Sequence, residues 1–179
     1  MANDPFAPLE RARRWLTVAI LAVLTWQYAR MPIDASVEPG FLHLPDLVFH
    51  EAGHVLFAPF GRFMTVLGGS LFQVLVPVIC LVAFLRQNNA VGAAICTWWT
   101  GQNLIDLAPY IADARRLQLV LLGGYTGAEV EGHDWEYLLT TLRAMRHDVA
   151  LGRSAQALGT LLMIAAVVWS VRLAVRDEV

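Results

Sequence analysis

Apolar residues gather into long runs broken by short polar stretches, and the runs are too long for strands. Five predict helices: residues 13–29, 45–60, 66–85, 90–105 and 155–175. The fifth is a strong span, because crossing a hydrocarbon layer takes about 20 residues. The second is short for a full span and reads as tilted, or partly sunk between other helices. Pro45 stands near its first turn, where a missing N–H costs nothing, and Gly61 ends it. The third opens around Gly68-Gly69 and carries Pro77 as a kink. The fourth continues irregularly to residue 112.

A polar connection, residues 113–153, separates the fourth and fifth runs. It holds a glycine-rich turn, Gly123-Gly124-Tyr125-Thr126-Gly127, and then Glu129 and Glu131. Trp135, Leu138, Leu139, Leu142 and Met145 then recur at helical spacing, predicting an amphipathic helix over 133–147 that lies on a membrane surface or caps the bundle. No internal repeat is present. The expectation is one all-α domain over 1–179, a polytopic membrane bundle of four to five hydrophobic helices with one amphipathic surface helix.

Composition agrees. The chain is 57% hydrophobic with a mean hydropathy of +0.52, too apolar for an ordinary soluble domain. The net charge of -2, without a basic stripe, argues against a nucleic-acid partner. Cys80 and Cys96 lie in apolar segments and read as packed thiols. All 13 basic residues are arginine. Nine of the thirteen fall on one side if the N-terminus is cytoplasmic, which is the orientation this bias favours. The first run, ending in Trp26-Gln27-Tyr28, reads as a retained anchor with an interfacial aromatic belt. Arginine without lysine and alanine-rich helices suggest a bacterial inner-membrane protein.

Inside the second run sits His50-Glu51-Ala52-Gly53-His54. Residues four apart on a helix differ by about 40° in azimuth and about 6 Å in rise, so both imidazoles can reach one metal ion. Glu51 then stands beside them as general base. Two histidines leave zinc under-ligated, so a third protein ligand is needed, with one position open for water. Residues that could supply it include Asp106 and the pair His133-Asp134 in Gly132-His133-Asp134-Trp135. Asp46, one turn before His50, is placed either to support that imidazole or to cap the helix start. Ser70 and Gln73 read as interhelical hydrogen-bonding groups. His43 and His147 are lone and take bland roles.

The fourth run ends in Asn103-Leu104-Ile105-Asp106-Leu107-Ala108-Pro109, with Asp113 beyond. Together with the His-Glu-x-x-His helix, this resembles the site-two-protease family of intramembrane zinc metalloproteases, over residues 44–116. That family carries Asn-x-x-Pro and then an Asp-Gly. Here Asp106 stands at the Asn position, and Asp113 comes one residue early and precedes Ala114. The resemblance implies Asp113 as third zinc ligand and Asn103, with Asp106, as polar groups that hold substrate. It implies a membrane-embedded zinc endopeptidase cleaving transmembrane or membrane-bound polypeptides. Two other functions remain: a catalytically silent zinc-binding scaffold, and a membrane zinc hydrolase acting on a lipid or small amide.

Overall fold

The computed structural model describes residues 7–34 and 40–176. The chain forms α1 (Ala7–Ala29), α2 (His43–Phe57), α3 (Arg62–Arg86), α4 (Ala90–Ala112), α5 (Asp134–Thr141) and α6 (Asp148–Arg176), with 3-10 turns at Ala58–Phe60 and Met145–His147. Among the described residues there is no strand, only an isolated bridge between Val120 and Thr126. The all-α expectation holds.

α4 is the middle of the bundle. Twelve of its residues are buried, because α1, α3 and α6 all pack on it. Glycine lets the axes approach. A Cβ on Gly101 would stand 2.6 Å from the Gly159 carbonyl oxygen, and one on Gly152 would stand 2.6 Å from that of Ala108. α6 and α4 therefore meet backbone to backbone. Leu21, Tyr28, Trp98, Ile105, Met163 and Ala166 fill the space where α1, α4 and α6 converge. The buried Trp98 indole donates to Thr25 Oγ1 at 2.9 Å, which spares a penalty of about 1–3 kcal/mol for an unmade bond.

Two helices, α3 and α6, are long and apolar enough to cross a membrane, and only 28% of the most apolar window of each is buried. The remainder of each helix is half-buried or exposed, where a soluble core helix would be mostly buried.

Besides the earlier starts of α1, at Ala7, and α3, at Arg62, the structure departs from the expected boundaries in three places. α6 begins at Asp148, seven residues early. Asp148 is fully buried and takes both arms of the Arg115 guanidinium, at 2.8 and 2.9 Å, which ties this helix start to the end of α4. The amphipathic helix stops at Thr141. Arg143 then takes a left-handed φ of 54°, so only the first half of the 133–147 pattern is one helix. α4 runs regularly to Ala112 with Pro109 inside it.

Candidate metal centre

α2 places the histidine pair. Pro45 falls in its first turn, where proline is tolerated, and His50 and Gly53 face inward. α2 and α3 cross where Gly53 meets Gly68, each occupying space that a Cβ on the other would need. At the next residue of α3, Gly69 lies beneath both imidazoles. A Cβ there would be 2.6 Å from His50 Nε2 and 2.6 Å from His54 Cε1.

Each ring is held by its far nitrogen. His50 Nδ1 is 2.9 Å from Gln73 Oε1, and His54 Nδ1 is 2.9 Å from the Thr65 carbonyl oxygen. Both partners are acceptors, so both rings carry a proton on Nδ1. Both Nε2 atoms then face one point, where a metal ion would take their lone pairs in place of a proton. The third group there is Asp134. Its Oδ2 lies 2.8 Å from His50 Nε2 and 3.3 Å from His54 Nε2. The three ligand atoms all fall within 4.8 Å of one another. An edge of about 3.3 Å is what a tetrahedron with bonds near 2.0–2.1 Å requires.

Asp134 is the first residue of α5, and three contacts fix it. Its backbone N–H donates to Tyr110 Oη at 2.8 Å. His133 caps the helix, Nδ1 accepting from Glu136 N at 3.2 Å. The neighbouring Trp135 donates to Ser70 Oγ on α3 at 3.1 Å. Burial pushes the Asp134 carboxyl up, but the hydrogen bonds and charges of the two histidines outweigh it and hold the group below its ordinary range. Burial lowers the His133 imidazole, which suits its role as a neutral, accepting cap.

A cavity of about 850 Å³ opens over the cluster. His50, Glu51, His54 and Asp134 are among its polar lining, and Leu119, Val120, Leu121 and Leu122 are among its apolar lining. Glu51 follows His50 on α2 and is exposed to this space.

Several residues stand elsewhere than the sequence suggests. Asp113, the ligand implied by the family resemblance, is not with the histidine pair. It caps the end of α4 and accepts from the backbone N–H groups of Gln118 and Leu119, at 3.1 and 2.8 Å. Its remaining neighbour is His133, Nε2 to Oδ2 3.6 Å. The alternative pair His133-Asp134 supplies the carboxylate instead. Asn103, expected to face substrate, is fully buried and donates to the Trp99 carbonyl at 3.0 Å and to Asp46 Oδ1 at 3.3 Å. Asp106 does line the cavity, bound to His43 and Gln73. Asp46 neither caps α2 nor touches His50. It is fully buried and accepts from Trp99 Nε1 at 2.9 Å. Ser70 and Gln73 do hydrogen-bond between helices. Tyr110, Thr65 and Gly69 have roles that spacing alone does not mark.

Two imidazole nitrogens and a carboxylate oxygen, with Nδ1 of each ring already anchored, fit a divalent first-row metal ion. Comparison of the chain with protein-family models, curated proteins and solved structures returns no match.

Proposed function

We propose that this protein is a membrane-embedded zinc metalloendopeptidase. The observation that carries the reading is the convergence of His50 Nε2, His54 Nε2 and Asp134 Oδ2 beside Glu51, at the wall of a large cavity. The outward apolar faces of α3 and α6 support a position in the bilayer. α4 and α1 complete a polytopic bundle in this reading, and the histidine pair sits at membrane depth. The substrate is a membrane-bound polypeptide.

A bound zinc ion would lower the pKa of its water to about 7 and polarise the scissile carbonyl. His50, His54 and Asp134 hold that ion, and no fourth protein ligand stands with them among the described residues. A silent structural site would be closed by four, so the donor count favours catalysis over the scaffold reading. Glu51 takes the proton from the attacking water and hands it to the leaving amine. The leucine-rich stretch 119–122 gives the cavity an apolar lining suited to an apolar substrate segment.

The test compares membrane-protein fragments in cells making the wild type or Glu51→Gln, alongside zinc content of both purified proteins. New termini within membrane segments that depend on Glu51, from two proteins that both hold zinc, support the endopeptidase. Zinc in both proteins without any Glu51-dependent fragment would overturn it and leave the lipid or small-amide hydrolase.

A further inference from the structure

His50 and His54 are anchored by different kinds of acceptor. For His54 the acceptor is the Thr65 carbonyl oxygen, a backbone group on α3 that cannot turn round. For His50 it is one end of the Gln73 side-chain amide. An amide has an accepting end and a donating end, and rotation by half a turn exchanges them. If the Gln73 NH2 faced His50 Nδ1, that nitrogen would have to accept. The ring would then hold its proton on Nε2 alone, aimed at the position a metal ion needs. The metal-competent form of His50 therefore depends on which way Gln73 faces.

The neighbour that decides this is Asp106. Gln73 Nε2 donates to Asp106 Oδ2 at 3.0 Å, and a carboxylate only accepts. Asp106 is in turn gripped by His43, whose Nδ1 lies 3.0 and 3.1 Å from its two oxygens. Gln73 is only 2% exposed, so water has little access to replace either partner. The result is one hydrogen-bonded row across three helices: His43 and His50 on α2, Gln73 on α3, Asp106 on α4.

We propose that Asp106 is a positioning residue which, by orienting the Gln73 amide, selects the His50 tautomer able to bind metal. His43 steadies Asp106. The inference rests on the metal-site reading above and adds how the site is kept competent before metal arrives. It also gives Asp106 and His43 a task at the metal centre although neither stands with the ligand atoms.

The test uses full-length protein in detergent, with 15N-labelled histidine to read the ring nitrogens without metal and zinc titration to read affinity. Asp106→Asn removes the carboxylate at constant shape and frees Gln73 to turn. The expected result is loss of the Nδ1–H signal of His50 and a fall in zinc affinity of about 10–100-fold. Adding Gln73→Glu to Asp106→Asn restores an acceptor-only partner for His50, now satisfied by the Asn amide, and should recover both signals. A purely structural role for Asp106 predicts no such rescue. Gln73→Met provides an independent variant, with Asp106 intact and His50 unanchored, and should show the same two losses. Unchanged tautomer and affinity in Asp106→Asn and Gln73→Met, or failure of the double variant to recover, would overturn the proposal. A wild type that binds no zinc but shows the tautomer shift in these variants would sink the metal reading and leave the orienting role standing.

Discussion

Asp134 Oδ2 lies 2.8 Å from His50 Nε2, across 84 residues of chain. The same oxygen is 3.3 Å from His54 Nε2. One carboxylate from the polar connection thus closes a site whose other two members share a helix face. Asp134→Ala should abolish stoichiometric zinc binding, as His54→Ala should. Mass spectrometry of the purified variants checks both, and a retained equivalent of zinc in Asp134→Ala would remove it from the site.

Asp113→Ala is the contrasting case. Its carboxylate holds two backbone N–H groups at the start of the leucine-rich wall. Removing it leaves both without their partner, at about 1–3 kcal/mol each if they stay buried. Zinc stoichiometry should persist while thermal stability drops, and hydrogen exchange should quicken at residues 118 and 119. Loss of zinc at unchanged stability would restore Asp113 to the ligand set.

Gly69→Ala and Gly53→Ala should part company. At Gly69 the added methyl meets imidazole rings, which can swing aside, so the fold survives and zinc affinity falls at least about tenfold, the scale of a disturbed ligand orientation. At Gly53 it meets the backbone of α3, which cannot give, and overpacking of about 1–3 kcal/mol or more destabilises the whole α2–α3 pair. Paired measurements of melting temperature and zinc affinity separate the two.

Glu51→Gln should keep its zinc and lose about 10²- to 10⁴-fold in cleavage rate, the range for a removed general base. Cleavage within tenfold of wild type would move the proton-transfer role to another group.

Chelation supplies a fifth check. Zinc at a hundredfold over its dissociation constant adds about 2.7 kcal/mol of stability by mass action, so stripping it should lower the melting temperature. The shift should vanish in the Asp134→Ala protein.

The helices were largely legible because lipid and packed interiors both demand long apolar runs, and these leave a plain signature in sequence. His50, Glu51 and His54 were legible for a related reason: a spacing of four is a geometric statement about one helix. Asp134 was legible only within the alternative pair His133-Asp134, because its place depends on how a 21-residue connection folds back from α4. Spacing alone does not rank it above Asp113 or Asp106. Asp113 sits at the resembled family's ligand position, yet at the end of α4 the nearest unmet groups are the amides of the next turn, and those claim it. Gln73 reads as an interhelical hydrogen-bonding residue, and it is one. What spacing leaves open is that its two partners are a metal-facing histidine and a carboxylate.

The place of the third ligand has a consequence for how the parts are tied. His50 and His54 are set by the crossing of α2 and α3, whereas Asp134 rides on an eight-residue helix held at its N-terminal end by Tyr110, Ser70 and its own cap. Leu138 and Leu139 bury the face of that helix. A metal ion held by all three donors would add a clasp between the polar connection and the α2–α3 pair. Protease resistance across residues 113–147 would then record, molecule by molecule, whether the centre is loaded.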